Sequence, residues 1–138
     1  MSQSLTLALL GCGQIGGSLA LALRATGEAI TIVGFDRSAQ HGDILIQKGA
    51  IDRFAPTARE AVSGADIVLL AVPLGSYQTV MRSCADALLP TAIVTDVGSV
   101  KQTMLALKPL LPTGVELVPG HPISGSERTG PDAARLDL

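Results

Sequence analysis

The chain has 138 residues, which is enough for one domain whose hydrophobic core needs no disulfide or metal to stabilise it. Its net charge is −2 and its basic residues are scattered, which argues against nucleic acid or a membrane as a partner and favours a small-molecule ligand. Cys12 and Cys84 form no metal-binding or disulfide motif, so we expect no metal site and a cytoplasmic location. Hydrophobic residues make up 47% of the chain and aromatic ones 2%, which is typical of parallel sheets covered by helices.

Residues 5–17 (LTLALLGCGQIGG) combine a short apolar run with closely spaced glycines. The apolar run predicts a first strand that is buried on both faces. Gly11, Gly13 and Gly16 have the G-x-G-x-x-G spacing, which provides a tight turn, room for a pyrophosphate, and close packing of helix on strand. The helix predicted from residue 15 to Gly27 points its N-terminal N–H groups at the bound anion. The segment therefore predicts a dinucleotide-binding loop.

A second buried strand is predicted over residues 29–35, and Asp36 stands at its carboxyl end. Asp36 follows Gly16 by about 20 residues, the spacing at which a carboxylate accepts hydrogen bonds from the adenosine ribose of NAD. Arg37 could instead neutralise the 2′-phosphate of NADP, so NADP stays possible. A helix cap or turn is the alternative role for Asp36. His41, in the helix that follows, has no polar company in the sequence and is predicted to be exposed and inert.

The rest of the chain alternates between apolar runs and helical periodicity. Further strands are predicted at residues 52–54, 67–72, 92–95 and 115–118. Further helices are predicted at residues 39–48, 57–62, 76–89 and 101–111. This alternation predicts an α/β fold of the Rossmann type, a doubly wound and mostly parallel sheet in three layers with strand order 3-2-1-4-5-6.

Two details of the helices are predicted as well. Thr57 is expected to cap its helix by accepting a hydrogen bond from the N–H of Glu60, which stands in the capping-box position. The residues expected on one face of the helix at 76–89 are Val80, Cys84, Ala87 and Leu88.

Ligands of such sheets bind beyond the carboxyl ends of the strands, where residues 73–76, 96–101 and 120–127 are predicted to lie. Within them His121 is the best candidate for proton transfer, because histidine has an unperturbed pKa of roughly 6.5. A structural role is its alternative. Ser99 can orient that imidazole, hold a substrate oxygen, or cap the helix that Lys101 begins. The predicted cofactor-binding residues are Gly11, Gly13, Gln14, Ile15, Gly16, Asp36, Arg37, Ser38, Val72, Pro73 and Ser99.

Residues 121–138 are polar and rich in glycine, and Pro131 stands in the favoured first position of a new helix. A helix that began there would have only about two turns before the chain ends. We therefore expect residues 1–138 to be the dinucleotide-binding domain of a longer protein, truncated before a second domain.

Five motifs, GCGQIGGSLA, FDRS, AVP, DVGSVK and GHPISGSERTGP, together resemble the N-terminal domain of the TyrA family of tyrosine biosynthesis, which comprises prephenate, arogenate and cyclohexadienyl dehydrogenases. The resemblance spans nearly the whole chain, and the last two motifs are its most specific part. It implies NAD(P)-dependent oxidative decarboxylation, in which the substrate ring gives a hydride to the nicotinamide and loses its carboxylate as carbon dioxide.

The resemblance also implies roles for individual residues. His121 hydrogen-bonds the substrate hydroxyl and assists its deprotonation, Ser99 contacts the same hydroxyl or the histidine, and Glu127 gates or polarises the substrate pocket. The family's all-helical second domain supplies a homodimer interface and the arginine that binds the ring carboxylate, and this sequence has no counterpart to it. Arg128 and Arg135 cannot be assumed to replace that arginine. We therefore expect dinucleotide binding with poor turnover.

Two alternative functions are compatible with the residues. One is another hydride-transferring enzyme, such as a β-hydroxyacid dehydrogenase or an imine reductase, although the GHP motif argues against it. The other is a non-catalytic module that binds NAD(P).

Overall fold

The computed structural model describes residues 4–120 and 130–135, and these ranges contain one six-stranded sheet in which all neighbouring strands are parallel. The strand order is β3-β2-β1-β4-β5-β6, so the predicted Rossmann-type order is confirmed. The strands are β1 (Leu5–Leu10), β2 (Ile30–Phe35), β3 (Arg53–Phe54), β4 (Ile67–Leu70), β5 (Ile93–Asp96) and β6 (Glu116–Val118).

Helical segments connect consecutive strands. The α-helices are α1 (Gln14–Ala25), α2 (Ala39–Gln47), α3 (Ala58–Val62), α4 (Tyr77–Cys84) and α5 (Lys101–Leu105). Short 3₁₀ segments lie at Leu74–Ser76, Ala85–Ala87, Lys108–Leu110 and Pro131–Ala133. The predicted cap of α3 is confirmed, since Thr57 Oγ1 accepts a hydrogen bond of 3.1 Å from the Glu60 N–H.

The two faces of the sheet bury alternate residues of each strand. On β1, Leu7 and Leu9 belong to the core cluster beneath α1 and α2, whereas Ala8 and Leu10 belong to the cluster beneath α3, α4 and α5. This period-two alternation arises because successive side chains of a strand point to opposite faces. The fold therefore has the three predicted layers, and its core is aliphatic.

Several predicted elements are shorter in the structure. The helix predicted at 101–111 is α-helical only through Leu105, because Pro109 lacks an N–H and cannot continue the ladder. The helix predicted to start at Pro131 is a three-residue 3₁₀ turn, after which Ala134 is extended. The strand predicted at 67–72 ends at Leu70. No helix in the described ranges is both long enough and apolar enough to span a membrane.

The buried face of α4 also includes residues beyond those predicted. Tyr77, Met81 and Cys84 are buried, whereas Val80 is only half-buried because it faces the ligand cleft described below. Cys84 and Leu88 are buried in one core cluster, and Val80 and Ala87 are intermediate in exposure and pack against the same cluster. The four residues therefore share the predicted face, to which Tyr77 and Met81 also belong. After Cys84 the geometry changes from α-helix to 3₁₀.

Candidate functional site

An open cleft of about 1230 Å³ lies at the carboxyl end of the sheet, where ligands of open α/β sheets bind. Its volume exceeds that of an ordinary small-molecule pocket, which reaches roughly 1,000 Å³. The predicted cofactor-binding residues that line it are Gly11, Gly13, Gln14, Ile15, Asp36, Arg37, Val72, Pro73 and Ser99. Lining residues that the sequence reasoning did not select include Gln40, His41, Ile44, Thr79, Val80, Pro131 and Asp132.

The three glycines of the first loop differ in their surroundings. Gly11 has φ +107°, and a Cβ added to it would lie 2.5 Å from the carbonyl carbon and oxygen of Ala71. A Cβ on Gly16 would lie 2.6 Å from the Gly11 oxygen, so this glycine lets α1 pack on the loop. A Cβ on Gly13 would meet no heavy atom within 4 Å. Packing therefore requires the outer two glycines, and the middle one leaves open space beside the cleft.

The first turn of α1 faces this open space. Gly13 is the N-cap of α1 and has no side chain that could cap the helix. The N–H groups of a first helical turn lack partners within the helix, and the helix dipole places partial positive charge there. The loop and helix together form an arrangement suited to a phosphate group.

Asp36, just beyond β2, accepts two hydrogen bonds from backbone N–H groups at the other end of the loop. Its Oδ2 accepts the Cys12 N–H at 2.9 Å, and its Oδ1 accepts the Ser38 N–H at 2.9 Å. The bond from Ser38 gives Asp36 the turn role that the sequence left open. The carboxylate also lines the cleft, so a ligand can reach it. Ser38 does not line the cleft and contributes through its backbone.

The expectation that His41 has no polar company is wrong. Its Nδ1 lies 3.1 Å from Asp36 Oδ1, and the ring lines the cleft. The pairing arises because α2 begins at Ala39, so its first turn carries position 41 back toward the end of β2. A histidine five residues after the carboxylate, at the start of a helix, was the signal in the sequence.

Cys12 is a packing residue, as predicted, although it lies within the loop. Its side chain is fully buried, and its Sγ lies 3.6 Å from the Phe35 carbonyl oxygen. Burial, together with the nearby negative charge of Asp36, raises the pKa of the Cys12 thiol to about 12. The thiol is therefore protonated at neutral pH and is a poor nucleophile.

On the opposite side, Ser99 is exposed at the rim of the cleft. The N-cap of α5 is Val100, so the capping role considered for Ser99 is wrong. Lys101 is exposed and does not line the cleft.

Asp96, which was not predicted as a site residue, accepts three hydrogen bonds on this side of the site. It is 3% exposed, and its Oδ2 accepts hydrogen bonds from the Tyr77 hydroxyl at 2.7 Å and the Gly98 N–H at 3.0 Å. Its Oδ1 accepts the Gly120 N–H at 2.9 Å. Burial, and the neighbouring carboxylate, raise the pKa of Tyr77 well above its usual value. One buried carboxylate thus holds the backbone next to Ser99 and next to His121.

The segment 130–135 forms another rim of the cleft, against α1 and α2. The Arg135 N–H donates to Ser18 Oγ at 2.9 Å, and Lys48 Nζ donates to the carbonyl oxygens of Asp132 and Ala134, each at 2.9 Å. These bonds hold the segment against α1 and α2, and Ala134 is extended after the three-residue 3₁₀ turn.

Some predictions fall elsewhere. His121 and Glu127 lie outside the described residues. Gly16 lies behind the cleft and acts through packing. Within residues 4–120 and 130–135, no group of three or more His, Cys, Asp or Glu residues could hold a metal ion.

A doubly wound parallel sheet with a glycine loop, an uncapped helix N-terminus and a carboxylate at the end of β2 defines a nucleotide-binding domain. Residues 19–138 match the family described as prephenate dehydrogenase, nucleotide-binding domain. The chain belongs to this family.

Similar proteins agree with this membership. The cyclohexadienyl dehydrogenase of Zymomonas mobilis is 35% identical over 96% of this chain and 45% of its own length. The crystal structure of prephenate dehydrogenase from A. aeolicus, in complex with hydroxyphenyl propionate and NAD+, is 29% identical with a TM-score of 0.86, over 99% of this chain and 47% of that one. The structure of Synechocystis arogenate dehydrogenase is 28% identical with a TM-score of 0.82, over 96% and 45%. The chain thus spans less than half the length of these relatives.

Proposed function

We propose that this chain binds NAD and forms the nucleotide-binding part of a dehydrogenase that oxidatively decarboxylates prephenate or arogenate. The observation that carries the proposal is the cleft, in which open space at Gly13 adjoins the uncapped start of α1 and the Asp36 carboxylate faces the same volume. The first feature suits a pyrophosphate and the second suits a ribose diol. The residues present therefore fit a dinucleotide.

The preference for NAD over NADP is the next part of the proposal. Asp36 carries a negative charge where the adenosine ribose would lie, and a 2′-phosphate there would be repelled. Arg37 also lines the cleft, and its positive charge would attract such a phosphate. We expect the Asp36 carboxylate to determine the preference for NAD, because backbone N–H groups fix the position of both its oxygens.

We assign the chemical step to three polar residues, of which Ser99 lines the cleft just after β5. When bound, the nicotinamide supplies the hydride acceptor for oxidation of the substrate ring. Ser99 holds the substrate hydroxyl, His121 takes its proton, and Glu127 polarises the pocket. His121 directly follows Gly120, whose N–H is bonded to Asp96 at the carboxyl end of β5, and this supports a role beside Ser99.

We further propose that substrate turnover requires polypeptide beyond the shared nucleotide-binding part. The relatives are more than twice as long as the region they share with this chain. A second, helical domain would supply the contact to the ring carboxylate and the interface of a homodimer. The two described cysteines are free and buried, which supports a reducing, cytoplasmic setting.

The binding part is tested by calorimetric titration of the chain with NAD and with NADP, followed by a steady-state assay with prephenate and NAD. We expect saturable binding that is tighter for NAD, with little or no turnover. Absence of dinucleotide binding would overturn the proposal. Full turnover by the chain alone would overturn the requirement for a second domain.

The role of His121 is tested in a protein that includes the second domain. His121→Asn should lower kcat by roughly two to four orders of magnitude while leaving NAD affinity unchanged. The wild-type rate should fall on the acidic side as the imidazole takes up a proton. A rate that is independent of pH between 5 and 8 would remove His121 from the mechanism.

A further inference from the structure

His41 and Asp36 form a pair of titratable side chains at one end of the cleft. The ring Nδ1 lies 3.1 Å from Asp36 Oδ1, and both side chains line the cleft. Their side chains are 40% and 19% exposed, so a ligand can reach both. Backbone N–H groups already hold both carboxylate oxygens of Asp36, so the position of the carboxylate does not rest on His41 alone.

The charge on this end of the cleft depends on the state of the imidazole. Among residues 4–120 and 130–135, the other charged groups that line the cleft are Arg37, in the turn after β2, and Asp132, in the segment packed on α2. The Cys12 thiol in the glycine loop is neutral, since its pKa is raised to about 12. With a neutral imidazole, the Asp36 charge faces the ligand uncompensated by His41. With an imidazolium, the pair is neutral and Arg37 adds a positive charge.

We propose that His41 sets the selectivity between NAD and NADP, by leaving Asp36 anionic toward a ribose 2′-hydroxyl when neutral and by compensating that charge toward a 2′-phosphate when protonated. The inference rests on the proposed binding of a dinucleotide and adds a specificity-determining residue to it. It makes the preference for NAD weaken as the pH falls, because protonation of the imidazole adds a positive charge beside the Asp36 carboxylate.

The size of the effect follows from the distance between charges. One added unit charge about 4 Å from a phosphate changes binding by about fivefold when the medium between them has the dielectric constant of water. The 2′-phosphate itself loses a negative charge near pH 6, roughly, which changes NADP affinity by a separate route. A variant that keeps a hydrogen-bond donor but does not titrate separates the two causes.

The experiment measures Kd for NAD and for NADP at pH 8.0 and pH 6.0 in low salt, for the wild type, His41→Asn and His41→Lys. The ratio of the NADP Kd to the NAD Kd should fall between the two pH values by about fivefold more in the wild type than in His41→Asn. In His41→Lys the ratio should be low at both pH values. Asp43→Asn, which removes a charge from the exposed side of α2 away from the cleft, should behave as the wild type.

The experiment distinguishes failure of this inference from failure of the proposed function. Failure of every variant and the wild type to bind either dinucleotide would overturn the proposed function. Tight NAD binding with the same pH dependence of the ratio in the wild type and His41→Asn would overturn the role of His41 alone. Folding of each variant is checked by circular dichroism, and His41→Asn is expected to fold because it removes no core contact.

Discussion

The Tyr77 hydroxyl donates a hydrogen bond of 2.7 Å to Asp96 Oδ2, and this bond joins the start of α4 to the carboxyl end of β5. The same oxygen accepts the Gly98 N–H, and the other oxygen accepts the Gly120 N–H. No side chain fits at either glycine, since a Cβ at Gly98 would lie 2.6 Å from the Tyr77 hydroxyl and one at Gly120 would lie 2.4 Å from the Asp96 carbonyl oxygen. The carboxylate therefore holds the backbone at the two glycines that directly precede the candidate catalytic residues Ser99 and His121.

Asp96→Asn should destabilise the protein more than Tyr77→Phe. The amide nitrogen of asparagine cannot accept the hydrogen bond from the Gly98 N–H. We therefore expect the free energy of unfolding to fall by about 2–3 kcal/mol in Asp96→Asn and by about 1 kcal/mol in Tyr77→Phe. Urea unfolding followed by circular dichroism measures both. Ser83→Ala, which removes an exposed hydroxyl bonded to the Val80 carbonyl on the same helix, is the control and should change little. Equal losses in the two variants would mean that the backbone bonds to Asp96 contribute nothing.

The glycine loop predicts opposite effects for two similar substitutions. Gly13→Ala adds a methyl group in open space, so stability should be nearly unchanged while NAD affinity falls by about tenfold or more. Gly16→Ala places a methyl group 2.6 Å from the Gly11 oxygen and should cost about 1–3 kcal/mol of stability. Thermal unfolding and calorimetry on both variants test this. Unchanged NAD affinity in Gly13→Ala would remove the loop from the binding site.

Asp36→Asn should reduce discrimination against NADP. Without the negative charge, NAD binding weakens by about tenfold because a charge-assisted hydrogen bond to the ribose is lost. NADP binding should change less, since repulsion of its phosphate is relieved. Titration with both dinucleotides at pH 8.0 gives the two affinities. If the wild-type protein binds NADP more tightly than NAD, then Arg37, and not Asp36, determines the preference at the adenosine ribose.

The two buried thiols predict the alkaline behaviour of stability. Burial raises the pKa of Cys12 to about 12 and that of Cys84 to about 11, from a usual 9.0. Because the folded state favours the protonated thiols, their contribution to stability is complete below pH 9 and is lost as the pH rises toward 11–12. The free energy of unfolding should therefore decline above pH 9, and less so in Cys84→Ala. At pH 8, iodoacetamide should modify the thiols only after urea is added, and modification of the folded protein would contradict their burial.

The sheet order could be predicted from the sequence because the central strands β1, β2 and β4 are mostly apolar runs and the crossover rule leaves few alternatives. The ends of the helices were harder to predict than the sheet order, because the periodicities of 3₁₀ and α-helices are similar over one turn, as at Ala85–Ala87. The Tyr77–Asp96 bond and the contact of Arg135 with Ser18 join residues 19 and 117 positions apart, and no local pattern encodes such pairs. The start of α2 at Ala39 was predicted, but His41 was missed because its contact with Asp36 crosses the turn before the helix and so does not follow the helical spacing of three or four residues.

The bond between the Cys12 N–H and Asp36 Oδ2 links the glycine loop directly to the carboxylate at the end of β2. The pyrophosphate and the adenosine ribose of a bound dinucleotide would therefore meet a loop and a carboxylate whose relative positions are already fixed. Binding would then cost little conformational entropy of the protein. Energetic effects of substitutions at the loop and at Asp36 should then be strongly non-additive, because each group is preorganised by the other.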